Sequence, residues 1–537
     1  MRKIGVLLSM LLCMALSFSA CEEHVPEQEK KVPTGYLELL KAYDDGKMFA
    51  SAEHMTACCK ITFTDGSSLT IYDSAFEIYD CTASKPKEVS SSGGWWKVGD
   101  IVKAIKVDTT LPKEEALPVY VYFDTKTLHA YISNGQHLIF GSEVLAEEEE
   151  IARRQNIPVV RIVTDGGAGI YDKKNYVPGV ITVSDPEKLY SDVAEFSARM
   201  GIRGRGNSTW GWPKKPWKVK LDSKAEILGM PADKEWALLA NYSDRTLVRN
   251  IVAMKLSEIC GFSWTPRMRS VEVYLNGEYQ GVYTFCEHKK VSSDRVDIDE
   301  DTAVYLEIEE NLDETTVWRT SMGVPMMFSE PEVPSAEQFE YIRKLFDDFE
   351  AALHSSDVTS YEEYVDVGSF IDYYIVQELT KNIDGNFRKS SFLTKEVGKK
   401  LEMYHLWDFD LTLGNCGYFD WRVGNGPDKF WIKDFASNCT PGENWVNLMM
   451  RDPEFIDKLQ NRWNELMPEF EKIPDFIDDQ VLYLDKAQAR NFQRWNIKES
   501  VDWVMFPSLG SYEKEVDYLK EFYTERLEWL DKELNKL

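Results

Sequence analysis

The chain has 537 residues, 43% hydrophobic and 13% aromatic, the make-up of a globular protein with buried cores rather than a disordered one. At roughly 100–200 residues per domain, this length allows two or three domains. With 62 basic against 90 acidic residues the formal charge is −28, which speaks against non-specific nucleic-acid binding and makes any basic pocket conspicuous.

Residues 1–20 read as a targeting segment. Arg2 and Lys3 form a positive start, Ile4 to Phe18 an apolar stretch, and Ser19-Ala20-Cys21 a small-residue close. That close resembles a bacterial lipobox, which implies cleavage before Cys21 and a lipid thioether on its sulfur. The alternative is an ordinary signal peptide with a chance cysteine. Residues 21–34 are charged, contain two prolines and suit a tether, which favours the anchored reading. The expectation is a lipid-anchored envelope protein on the bacterial outer membrane, and Glu22-Glu23 resembles surface-export signals of some Gram-negative lipoproteins. No later stretch approaches the ~20 apolar residues of a spanning helix. The seven remaining cysteines are odd in number and form no CxxC, so a zinc site is not expected and isolated buried thiols are.

Residues 35–147 read as a small β domain. Lys60 to Thr64 and Ser68 to Tyr72 alternate around the turn signal Asp65-Gly66, and Val119 to Phe123 and Leu128 to Ile132 alternate again. Trp95-Trp96 reads as a core or interdomain aromatic pair rather than a carbohydrate platform. Glu147 to Arg154 is a charged junction. Beyond it strands and helices mix: Val159 to Val163 and Val180 to Val183 are strands, and Leu247 to Cys260 has helical periodicity ending at Gly261. Arg269 to Leu275 and Gln280 to Cys286 are strands joined at Asn276-Gly277. After Pro334 the chain turns largely helical over Ala336–His354, Ser369–Lys381, Pro453–Met467 and Tyr512–Leu537. The fold class expected is α+β, with a mixed half and a helical half facing each other across a ligand cleft.

Two blocks carry chemistry. In Gly201-Ile-Arg-Gly-Arg-Gly-Asn-Ser-Thr-Trp210 the glycines let backbone amides turn around an anion, and Arg203 and Arg205 add forked donors. In the strand that follows, Trp217, Val219 and Leu221 share one face and Lys218 and Lys220 the other. A tight hairpin with solvated lysines would look the same. The second block, His405-Leu-Trp-Asp-Phe-Asp410, sets Asp408 and Asp410 two residues apart. In an extended segment both project to one face, as a hard cation with phosphate oxygens requires. A helix-capping Asp beside a solvated one is the plain alternative. Asp384, in the turn Asn382-Ile-Asp-Gly-Asn386, could orient a substrate hydroxyl or simply belong to a helix C-cap.

From Ile202 to Ile298 the chain closely resembles the CotH kinase family of atypical secretory kinases. The pieces that carry the likeness are Arg203 to Trp210, Lys214 to Leu221, Leu228 to Pro231, Trp236 to Tyr242, Leu247 to Asn250, Thr265-Pro266, Val273 to Gly281, Glu287, Glu307 and Trp407 to Asp410. The resemblance extends over about residues 157–535, within a kinase-like region expected at 148–537, and leaves the β domain unexplained. It implies a protein-kinase-like two-lobed fold that binds ATP with Mg2+ or Mn2+ and phosphorylates serines of extracytoplasmic proteins. Under it, Lys220 is the phosphate-binding lysine with Lys218 as second choice, and Arg203 and Asn207 belong to the phosphate loop. Glu258 pairs with the lysine, and Glu287 lies by the adenine. Asp384 is the catalytic aspartate, Asp408 the metal aspartate, and Asp410 assists. One departure stands out: Arg388-Lys-Ser-Ser391 occupies the stretch where kinases carry a metal-binding asparagine. Asn386 takes its place, one metal suffices, or the domain is a weak or dead kinase. The contrasting expectation is a non-catalytic surface lipoprotein, either a pseudokinase scaffold or a module that binds glycan or matrix.

Overall fold

The protein is described from a computed structural model. The described residues are 35–55, 58–72, 77–80, 89–92, 95–98, 101–106, 118–123, 126–134, 136–312, 314–417, 424, 426–434, 443–498 and 506–537. The targeting segment, the tether and Cys21 lie outside them. The chain divides into two compact units, residues 1–150 and 151–537.

The first unit opens with helix α1 (Gly35–Asp44), and its strands form three sheets. β1 (Phe49–Met55), β2 (Cys58–Phe63) and β3 (Ser68–Tyr72) make an antiparallel meander around the Asp65-Gly66 turn. A second sheet joins β4 (Glu77–Asp80) to β8 (Pro118–Phe123), β9 (Thr127–Ile132) and β10 (His137–Gly141), and a third comprises β5 (Val89–Ser92), β6 (Trp95–Val98) and β7 (Ile101–Lys106). Alternation decides the inward set: Ile61, Phe63, Ile71, Leu128, Leu138 and Phe140 share one core with Leu39 of α1. Trp95-Trp96 falls on β6, with side chains outside the described residues. The stretch read as a charged junction belongs to helix α2 (Glu143–Arg154). Its acidic start and basic end match the helix dipole, a signal that the run of glutamates obscures.

The second unit begins with seven strands: β11 (Val159–Thr164), β12 (Val177–Ser184), β13 (Glu195–Gly204), β14 (Trp217–Ile227), β15 (Met230–Leu239), β16 (Met268–Leu275) and β17 (Glu278–Glu287). They close into a barrel in the order β11-β12-β13-β14-β15-β17-β16, through a parallel pairing of β11 with β16. Its interior is filled, with Val160, Ile181, Ile202, Val219, Trp236, Val271 and Phe285 in one cluster. Helix α3 (Arg249–Cys260) leaves the barrel after β15 and ends on Gly261 at φ 73°, the left-handed C-cap that the sequence announced.

A five-stranded antiparallel sheet follows, from β18 (Val304–Ile308), β19 (Val317–Arg319), β20 (Pro325–Glu330), β21 (Ser391–Lys395) and β22 (Glu402–His405). Around it stand α4 (Ala336–Leu353), α5 (Val367–Thr380), α6 (Trp445–Met449), α7 (Pro453–Phe470), α8 (Ile473–Arg494) and α9 (Tyr512–Leu534). Side-chain caps start several of them: Ser335, Asp366, Asp452 and Ser511 each accept a backbone N–H of the first turn. Sheet, α3 and helices share a core that holds Leu306, Phe346, Phe370, Trp445, Trp463 and Leu527. Within it, Arg526 of α9 and Glu378 of α5 form an ion pair at 2.9 Å, both 1% exposed or less. The fold is thus α+β, with nine α-helices among the described residues. None of these helices is long and apolar enough to cross a membrane. Cys260 and Cys286 are buried free thiols, as expected of isolated cysteines.

Candidate functional site

One cavity of about 240 Å³ gathers the chemistry. Its first wall is the turn after β13. Gly206 sits there at φ 79°, a conformation natural to glycine, and the chain then winds through a short 3-10 turn, Ser208–Gly211, before β14. Arg205, Gly206, Asn207 and Thr209 line the cavity from this side. The Arg205 guanidinium lies over the Trp407 ring, 5.7 Å from its centroid, which fixes the cation beside Asp408.

The opposite wall is the turn after β22. Asp408 takes φ 58°, a left-handed conformation costly for a residue with a Cβ, so the surroundings must hold it there. They do so through the segment that enters α3. Asn250 accepts the Phe409 N–H at 2.7 Å, and Ser243 Oγ donates to Asp410 Oδ2. Asn415 donates to the carbonyls of Asp410 and Ser243 at 2.7 and 2.9 Å. Arg249, paired with Asp244 at 2.6 Å, donates to the Thr412 carbonyl. Asp408 and Asp410 both line the cavity, through a clamped turn rather than the extended segment expected. Burial, aided by the charge of Asp408, pushes the Asp410 carboxyl up to about 6.

The floor comes from the end of α5 and from β18. Lys381 at φ 49° ends α5, Asn382 accepts the Asp384 N–H at 3.1 Å, and Asp384 enters the cavity. Burial raises its carboxyl above the ordinary range, against the pull of Lys389 and Arg388. Lys289, just past β17, is ion-paired with Glu307 of β18 and lies 4.4 Å from the Phe392 ring centroid. Glu309 is 7% exposed and its carboxyl is pushed up to about 7, chiefly by burial. Arg388 and Lys389 are both engaged by Glu310, at 2.8 and 3.0 Å. Burial works against that acid, but the donors outweigh it and bring its carboxyl down to about 2.

Of the residues expected at the site, Asp384, Asp408, Asp410 and Asn207 share this cavity. Several others stand elsewhere. Arg203 points off the outer face of β13, donates to the Lys173 carbonyl and stacks on Tyr176. Lys218 and Lys220 both reach Glu235 of the next strand, at 2.7 and 3.3 Å, outside the cavity lining. The expected pairing of Glu258 with Lys220 is corrected: Glu258 lies on the solvent face of α3 and pairs with Lys255 at 3.2 Å. Glu287 is fully buried and is held by the Arg267 backbone N–H and guanidinium at 2.9 and 3.0 Å. Asn386 turns into the core, where it donates to the Trp431 carbonyl at 3.4 Å and accepts from Asn444. The cations that do reach the cavity are Arg205, Lys289 and Lys389. Arg205 carries the signal of the glycine-rich block. Asn250 lies in the Leu247 to Asn250 piece of the resemblance, which assigns it no role; Lys289 and Ser243 show no signal, because only the tertiary fold brings them here.

Six carboxyl side chains face those three cations in the lining: Glu307, Glu309, Glu314, Asp384, Asp408 and Asp410. A polyphosphate alone would be repelled by so acidic a cavity. The mutual repulsion of Asp408 and Asp410, and their hard oxygen donors, fit a divalent cation that keeps phosphate and water among its ligands. Among the described residues no group of three His, Cys, Asp or Glu side chains is placed to hold a metal ion.

A family model described as CotH kinase protein matches residues 202–530, more than half of the chain. No curated protein matches the chain.

Proposed function

From the premise that the chain belongs to the CotH kinase family, we propose that its second unit transfers phosphate from ATP to a serine hydroxyl of an extracytoplasmic protein. In this reading the barrel serves as one lobe and the sheet with its helices as the other. ATP occupies the cavity that Arg205 and Asp408 share. The observation that carries the proposal is the convergence of Arg205, Lys289, Asp384, Asp408 and Asp410 on that cavity.

Each residue then has a task. Arg205 and Lys289 balance phosphate charge, as fixed cations held where charge develops in the transition state. Asp384 accepts a hydrogen bond from the acceptor hydroxyl and orients its oxygen toward the phosphorus. As the new O–P bond forms and the bond to ADP breaks, the hydroxyl proton passes to the Asp384 carboxylate. Asp408 and Asp410 would hold Mg2+ or Mn2+ together with phosphate oxygens, which supplies further charge neutralisation. The lipobox-like close at Cys21 supports placing this activity on a lipid anchor at the cell envelope.

A specific observation keeps a second reading in view: Asn386 is turned into the core, and Arg388 and Lys389 are engaged by Glu310. A scaffold that binds nucleotide without transfer, or a glycan-binding module, would tolerate that arrangement. Purified residues 22–537 with labelled ATP and Mg2+ or Mn2+ decide between them. The kinase reading expects self-labelling or labelling of an envelope extract, reduced by about 10²-fold or more in Asp408→Ala. Labelling unchanged in that variant removes the role given to Asp408. Glycan binding, with no effect of Mg–ATP on thermal stability, supports the second reading.

A further inference from the structure

Resting on the reading of the cavity as a site for ATP with its metal, we propose that Ser390 gives its hydroxyl oxygen to the divalent cation assigned to Asp408 and Asp410. It would fill the place that Asn386 leaves by turning into the core. Ser390 lines the cavity together with Asp384, Asp408 and Asp410. Its Oγ lies 3.4 Å from Asp408 Oδ2, beyond the usual range for a hydroxyl hydrogen bond. Neither side chain makes another hydrogen bond among the described residues. A half-buried carboxylate that accepts one weak hydrogen bond has lone pairs left for a cation. The hydroxyl, with two lone pairs of its own, is a neutral oxygen donor of the hard type that Mg2+ and Mn2+ take.

The fold brings the two together from adjacent strands. β21 and β22 pair antiparallel, with Phe392 opposite His405, so the residue before β21 and the turn after β22 meet at one end of the sheet. Ser390 takes φ 46° and Asp408 φ 58°, both left-handed and both costly for a residue with a Cβ. The surroundings hold Ser390 there from both sides. The Lys389 N–H donates to the Asp384 carbonyl at 3.1 Å, which closes the turn that leads to Ser390. The Tyr373 hydroxyl of α5 donates to the Gly385 carbonyl at 2.8 Å and lies 2.7 Å from Ser391 Oγ. Ser391 is thereby sealed into the core, opposite Ile308 of β18, while its neighbour Ser390 stays at the cavity.

Other hydroxyls near these carboxylates are less suited. Ser243 is buried, and its proton is committed to Asp410. Ser208 and Thr209 stand on the opposite wall, in the turn before β14. Of residues 388–391, Lys389 and Ser390 line the cavity, and only Ser390 brings a side-chain oxygen to it. Lys389 is drawn toward Glu310 at 3.0 Å. A hydroxyl and a carboxylate together hold Mg2+ at other nucleotide sites, so the pair of Ser390 with Asp408 is chemically sufficient for the task.

The test is Mn2+ binding to the intact purified protein, with and without ADP, followed by the electron paramagnetic resonance of the free ion. Ser390→Gly removes the hydroxyl and relieves the left-handed backbone. It should keep the thermal stability of the parent and weaken Mn2+ binding by at least about tenfold. Ser390→Asn, whose side chain tolerates the same backbone and offers a carbonyl oxygen, should keep binding within about threefold. Ser390→Cys separates ligation from a hydrogen bond to Asp408: Cd2+ should displace Mn2+ from it at least about tenfold better than from the parent. Mn2+ affinity unchanged in Ser390→Gly, or no gain for Cd2+ in Ser390→Cys, would overturn the inference. Phosphate carried on Ser390 after incubation with ATP would do the same, by making the residue an acceptor. A parent protein that binds no Mn2+ would overturn both this role and the reading of the cavity. Loss of binding in Asp408→Ala with no change in Ser390→Gly would strike Ser390 alone.

Discussion

Glu309 shows how a single carboxyl can tie the cavity to pH. Its folded-state value of about 7 stands above the ordinary 4.5 because burial disfavours the charged form. Between those values the folded protein keeps a proton that the unfolded chain has lost, so this contribution to stability is full below about 4.5 and gone above about 7. Glu309→Gln should therefore flatten that slope and be more stable than the parent at about pH 8, by on the order of 2–3 kcal/mol in urea unfolding. An unaltered slope would show that another group sets it. The lysines allow a second comparison. Lys289→Ala should lower phosphoryl transfer by about 10²-fold, whereas Lys220→Ala, whose lysine pairs with Glu235 outside the cavity, should change it less than about threefold. The reverse ranking would restore the lysine first expected. Sequence located the acids of the site better than its bases. Asp408 and Asp410 sit two apart in a distinctive block, and Asp384 follows a helix that ends there. Lys289 sits in the unremarkable His288-Lys-Lys290, and its role depends on Glu307, eighteen residues away, across two elements.

Among the elements, α3 matters most to the site, because its first turn grips the Asp408–Asn415 segment through Arg249 and Asn250. Asn250→Ala should leave the buried Phe409 N–H without its acceptor, costing about 1–3 kcal/mol in thermal unfolding and lowering transfer with it. Full activity at reduced stability would show that the grip supports the fold alone. The ion pair between α5 and α9 makes a larger demand. Arg526 donates to the Glu378 carboxylate and carbonyl and to the carbonyls of Pro427 and Lys429. Arg526→Met should cost about 3–5 kcal/mol, because Glu378 would stay buried and unpaired. Glu378→Gln in the same background should recover part of that loss, and a neutral effect of Arg526→Met alone would sink the argument. Local signals carried much of the element order: the Asn276-Gly277 hairpin, the Gly261 cap and the alternation of β14 all stand in the fold. Closure of the barrel did not show, since β11 and β16 pair across more than a hundred residues with no turn to mark their register. Helix α8 was also hidden, because Pro474 and scattered acids mask its narrow apolar stripe.

Across the molecule, the residues that line the cavity and those that brace it lie far apart in sequence. Every side chain lining the cavity lies between Arg205 and Leu411. Yet Glu378, on the helix leading to Asp384, forms its ion pair with Arg526. The Trp431 indole, which donates to the Asn382 carbonyl, follows a loop whose Pro427 and Lys429 carbonyls also await that arginine. A nascent chain ending near residue 500 would therefore carry a full set of reactive groups on an unfinished mount. Under the proposed function, competence would await the docking of the final helix.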